Sequence, residues 1–154
     1  MNLTILENCT LVDANSHEPR PDTTILIEGN RIREVSDQPI QMSDAQRIDL
    51  KGKTLMPGLI DAHCHVILSD LNIRNVDSIP QTLVTAMAGK LMGEMLDRGF
   101  TTVRDAAGAD WGIQAAQKQG LIRGPRIWIA GRALSQTGGH GDFRRRTQDR
   151  KSVV

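Results

Sequence analysis

From Leu55 onward the chain alternates between extended and helical patterns, and that alternation narrows the folds open to it more than any other feature. Leu55-Met56-Pro57-Gly58-Leu59-Ile60-Asp61-Ala62-His63-Cys64-His65-Val66 is a nearly continuous apolar run with polar residues only near its end. A strand buried on both faces has this composition, and such strands belong to parallel sheets. A helix is predicted next. Ser78-Ile79-Pro80-Gln81 reads as a capping box with proline in the first turn. Leu83, Met87, Leu91 and Met95 form one i+4 ridge and Val84, Ala88, Met92 and Leu96 the ridge beside it, with Gly99 closing the helix. Residues 100–105 repeat the strand pattern, 111–122 a weaker helix, and 126–130 a third strand that leads into 135–142. Strand–helix–strand–helix–strand at this spacing predicts a parallel α/β sheet, either doubly wound or closed into a barrel.

The first fifty residues follow another rule. Residues 3–12 suit extended structure, and 13–22 are rich in breakers, among them Asn15, Ser16, Pro19 and Pro21. Residues 24–28 and 31–35 are expected to pair as a hairpin about Gly29-Asn30, and 47–50 to add one short strand. The expectation is a small antiparallel β domain over 1–56, followed by α/β units over 57–148.

Composition excludes several function classes. The formal net charge of +1 creates no global field for nucleic acid or an anionic membrane. The basic run from Arg144 to Arg146, continued by Arg150 and Lys151, reads as a solvated tail. Cys9 and Cys64 form neither a CxxC motif nor a disulfide framework. Residues 1–30 carry no secretory signal pattern, and no run approaches the ~20 apolar residues of a membrane helix. A reduced, cytoplasmic protein is the default expectation.

The chemistry is concentrated in Asp61-Ala62-His63-Cys64-His65. On a strand Asp61, His63 and His65 point one way, whereas Ala62 and Cys64 point the other. Two imidazoles about 7 Å apart along one face can converge on one cation. The alternative is a pair of unrelated histidines satisfied by hydrogen bonds. The end of an apolar strand is a costly place for polar groups without partners, which favours metal ligation. Cys64 is rejected as a ligand because the strand period turns its sulfur away; it is expected to pack as a small buried residue. Asp61 is expected to support the pair through a hydrogen bond rather than to bind metal itself. Arg104 and Asp105, at the end of the second strand, are read as structural.

Pro57 to His65, PGLIDAHCH, resembles the first-strand signature of the amidohydrolase superfamily. ILIEGNRIREV (25–35) resembles the β-hairpin that precedes the barrel in these enzymes, and GFTTVRD (99–105) their second strand. QTGGHGD (136–142) is similar to the segment after strand three in the branch related to imidazolonepropionase and to Xaa-Pro or Xaa-Arg dipeptidases. The resemblance implies a (β/α)8 barrel with one or two divalent metals, usually zinc, bound in part by His63 and His65. It implies a small amide or dipeptide substrate, with His140 touching it; a turn histidine held among glycines is the alternative for His140. The remaining ligands and the general base are expected on later strands, so no catalytic residue is assigned here.

A closed barrel needs ~250 residues, and three strands cannot close. The chain alone is therefore expected to be unstable and inactive, with a homo-oligomer an option for a full-length parent. The codons available for Asp149-Arg150-Lys151-Ser152-Val153-Val154 can reproduce the start of a short-read sequencing adapter, so 149–154 are expected to be a non-native tail. The competing functional reading is a non-catalytic protein of the same fold, or one with a purely structural metal site.

Overall fold

A computed structural model describes residues 2–68, 79–139 and 142. The Ser78 of the expected capping box, His140, the basic run and the 149–154 tail lie outside the described residues. The chain divides into two compact units, residues 1–57 and 58–154.

The first unit is one sheet. Strands β1 (Leu3–Leu11), β2 (Arg20–Glu28), β3 (Arg31–Ser36), β4 (Gln46–Asp49) and β5 (Thr54–Leu55) are arranged in the order β3-β2-β1-β4, with β5 also on β1. Gly29-Asn30 makes the predicted hairpin, pairing Glu28 with Arg31. The sheet is not wholly antiparallel, as expected from the sequence. Both β4 and β5 run parallel to β1, because residues 37–45 cross over the sheet instead of turning back. The crossover has an apolar reason: Ile40 is buried against Ile5 and Leu26, with Met42 and Ala45 beside it. An Arg47–Glu7 ion pair at 2.8 Å then joins β4 to β1.

The second unit is β6 (Leu59–Cys64), α1 (Gln81–Asp97), β7 (Phe100–Asp105), α2 (Trp111–Lys118) and β8 (Arg126–Ile129), with the three strands parallel in the order β6-β7-β8. The apolar run read as one strand is thus two, since Met56-Pro57-Gly58 separates β5 from β6. Proline lacks the ladder donor and interrupts the pairing there. Gly58 has a second role. A Cβ at this position would stand 2.1 Å from Thr101 Oγ1 and 2.7 Å from its Cβ, so only glycine lets the start of β6 pass β7.

Helix α1 buries Val84, Ala88, Met92 and Met95. Of the eight residues of the expected stripe only Leu83 is exposed, at 51%; Met87, Leu91 and Leu96 are half-buried, and Leu91 packs against the core. Pro80 stands at the N-cap without a side-chain cap bond, and Gly99 (φ 93°) turns the chain into β7. Arg123 donates to the Gly93 carbonyl and pairs with Asp97, which holds that carboxyl below its ordinary range. Helix α2 is shorter than predicted. It is capped by Asp110, whose Oδ1 accepts from the Gly112 and Ile113 N–H groups at 2.9 and 3.3 Å. Val103 and Ile127 of the sheet meet Met92, Met95 and Ile113 of the helices to form the core, which also takes in Val66 and Ala109.

Strand β6 was expected to be buried on both faces. Instead, among the described residues, it forms one edge of the sheet and is hydrogen-bonded only to β7, and Ile60 is 72% exposed. No helix among the described residues is long and apolar enough to cross a membrane.

Two substitutions test this packing. Gly58→Ala should destabilise the protein by about 1–3 kcal/mol, because the added methyl would stand 2.7 Å from the Thr101 Cβ, which rotation of that side chain does not relieve. Asp110→Ala should remove about 0.5–2 kcal/mol of helix-cap stabilisation. Urea denaturation checks both, and an unchanged midpoint for Gly58→Ala contradicts the close approach of β6 and β7.

Candidate metal-binding site

In a parallel sheet the loops after all three strands leave from one edge. That edge carries the ends of β6 and β7 and the segment beyond β8. His63 lies one residue before the end of β6 and His65 one residue after it. Their ring centroids are 5.3 Å apart and the rings meet edge to face at 84°. His63 is exposed and His65 half-buried.

Hydrogen bonds from four directions fix this short segment. The Asp61 carboxylate accepts from the His63 backbone N–H at 2.9 Å, which holds the His63 backbone rather than its ring. Arg104 Nε donates to the Ala62 carbonyl at 2.7 Å. Asp105, fully buried, accepts from the Val66 N–H at 2.7 Å through one oxygen and from the Ala109 N–H at 3.1 Å through the other. Nδ1 of His65 lies 3.3 Å from the Ala107 carbonyl, so a proton on Nδ1 donates there and Nε2 keeps a free lone pair. Arg104 and Asp105 thus have separate partners. They sit on opposite faces of β7, as strand alternation requires.

Cys64 is half-buried, against the apolar core. Its thiol donates to the Arg104 carbonyl at 3.5 Å. Burial pushes the Cys64 thiol up to about 11, helped by the nearby Asp61 and Asp105 charges. A protonated sulfur facing the core is a poor metal donor.

Whether two imidazoles so placed fit a cation can be judged from their spacing. A zinc–nitrogen bond of about 2.0–2.1 Å, taken at a tetrahedral angle, puts two ring centres roughly 5 Å apart. The observed separation of 5.3 Å fits. Among the described residues no set of three His, Cys, Asp or Glu side chains gathers to hold a metal, so these supply two donors only. On either side of His140, the Gly139 N–H donates to the Gln136 carbonyl at 2.9 Å and the Gly138 N–H to the Asp142 carboxylate at 2.8 Å.

Asp105 is the residue that sequence reasoning undervalued. Its signal was present: alternation in 100–105 puts a carboxylate beside Val103 on the apolar face, where only hydrogen-bond donors make it tolerable.

Comparison with known proteins places this arrangement. Residues 54–154, more than half of the chain, match the profile of the amidohydrolase family. A solved structure of an amidohydrolase is 50% identical, with a TM-score of 0.84 over 90% of this chain and 34% of its own. The structure of a prolidase complexed with N-methylphosphonate-L-proline is 44% identical, with a TM-score of 0.89 over 96% of this chain and 36% of its own. Ochratoxinase from Aspergillus niger is 38% identical over 92 residues, which are 58% of this chain and 19% of that protein. The chain therefore spans about a third of these solved structures and a fifth of the curated relative. Its second unit is the first part of a (β/α)8 barrel preceded by a small β domain. The chain belongs to the amidohydrolase family.

Proposed function

We propose that the protein carrying this chain is a metal-dependent hydrolase of amide or cyclic amide C–N bonds, with dipeptides as its first candidate substrates. The observation that carries this reading is the His63–His65 pair, 5.3 Å apart at the edge of the sheet where the strands end. In α/β barrels that edge is the mouth where active sites form. His63 and His65 would hold a divalent ion, zinc first among the candidates, with further donors and the general base supplied by other strands. The chemistry such an ion supplies is a hydroxide available near neutral pH and a polarised scissile carbonyl.

The residues of this chain bind and orient. Asp61 and Arg104 hold the two polar groups of the Ala62–His63 peptide, its N–H and its carbonyl, and so fix the backbone that carries His63. The Ala107 carbonyl steers His65. His140, from the motif at 136–142, is proposed to contact the substrate, in keeping with loops at this barrel face. The 44% identity to a prolidase favours dipeptides whose second residue is proline. Both cysteines are free thiols, which supports a reducing compartment such as the cytoplasm.

The test is metal content and dipeptide hydrolysis in the protein that contains this chain and the rest of its barrel. His63→Ala and His65→Ala should each lower turnover by more than about a hundredfold, beyond what loss of a residue that merely supports a ligand costs. Each should also deplete bound zinc. Cys64→Ala should leave zinc content unchanged, because its sulfur faces the core. Tight zinc with no hydrolysis of any dipeptide or cyclic amide would instead favour a structural metal site.

A further inference from the structure

We propose that Asp105 is the positioning residue that sets the tautomer and ring direction of His65. The Asp105 carboxylate is 0% exposed, and each of its oxygens takes one backbone N–H, that of Val66 at 2.7 Å and that of Ala109 at 3.1 Å. Val66 directly follows His65, and Ala109 is two residues beyond Ala107. One buried side chain thus ties down both ends of the contact between His65 Nδ1 and the Ala107 carbonyl, 3.3 Å long. The Cys64 carbonyl accepts from the Ala106 N–H at 2.9 Å, a third tie between the same two segments.

The chemical consequence follows from what a carbonyl can do. It only accepts, so holding it at Nδ1 places the imidazole proton on Nδ1 and leaves the Nε2 lone pair for an external partner. A free neutral imidazole favours the opposite tautomer. The segment between β6 and the core therefore enforces a minority form, and Asp105 is the group whose removal relaxes it. No other side chain replaces it. Asparagine accepts through one oxygen only and turns an NH2 toward the second N–H. An apolar residue leaves both donors buried without partners, at roughly 1–3 kcal/mol each.

The metal purpose of this tautomer rests on the function proposed above, but the tautomer itself does not. It can be read without metal. Long-range 1H–15N NMR of the protein at about pH 8, above the ordinary histidine range, should show His65 protonated at Nδ1. Native-state exchange should find the Val66 and Ala109 amides among the protected ones. A wild-type His65 protonated at Nε2 overturns the proposal at once.

Two variants separate positioning from plain stability. Asp105→Asn should shift His65 toward the Nε2–H form and weaken zinc binding by about 10- to 100-fold, as loss of a ligand-orienting partner does. Val103→Ala lies on the same face of the same strand, is equally buried, and destabilises through a cavity while leaving both Asp105 bonds intact. It should keep the Nδ1–H form. If Val103→Ala moves the tautomer as far as Asp105→Asn does, Asp105 is merely structural and the proposal falls. Should Asp105→Asn fail to fold, Asp105→Ser, a smaller side chain that cannot accept both N–H groups at once, takes its place in the comparison, and a His65 that keeps the Nδ1–H form there overturns the proposal. Zinc that does not bind a protein with His65 in the expected tautomer counts against the metal reading, not against the positioning by Asp105.

Discussion

A carboxylate buried among aliphatic side chains is tolerated only if its oxygens are hydrogen-bonded, and the second unit is organised around one such group. Asp105 stands on the face of β7 that also carries Val103, against a core of Met92, Met95, Ile113 and Ile127. Two backbone N–H groups answer it, one from the end of β6 and one from the entrance to α2. The end of β6 and the entrance to α2 are thereby tied to the end of β7 beyond the pairing of the ladder itself. Losing one of these bonds would leave a buried polar group short of a partner, at a cost of about 1–3 kcal/mol.

The arrangement also divides labour between the two faces of one strand. Arg104 and Asp105 are neighbours in sequence, yet the strand period sends one toward the open face and the other toward the helices. Arg104 holds the backbone before His63 and Asp105 the backbone after His65. The segment that carries His63 and His65 is therefore gripped at both ends by consecutive residues of its neighbour strand, and its own Asp61 adds a bond to the His63 N–H.

Much of this was legible in the sequence. The β–α–β–α–β alternation, the hairpin at Gly29-Asn30 and the shared face of His63 and His65 follow from periodicity and turn chemistry, which are local properties. What sequence could not show depends on distant partners. The crossover over 37–45 is decided by Ile40 finding Ile5 and Leu26, and nothing in the polar composition of that loop announces it. The break at Met56-Pro57-Gly58 was visible as a proline and a glycine, but the apolar residues on both sides masked it. The apolar stripe of α1 was legible from its period, since residues of both ridges face the core, and only its first residue, Leu83, is left exposed. His140 was chosen from its motif and lies outside the described residues.

The separation of the two imidazoles has a consequence in the language of chelation. Two imidazoles already 5.3 Å apart and edge to face would present a cation, under the function proposed above, with a bidentate donor rather than two independent ones. Once either nitrogen engages, the other stands at a local concentration far above that of any free imidazole, in the millimolar range or beyond even for loosely tethered groups. Selectivity among cations is then a matter of bite: an ion whose bonds demand a wider or narrower span must bend strands that the core and the Asp105 carboxylate hold in place.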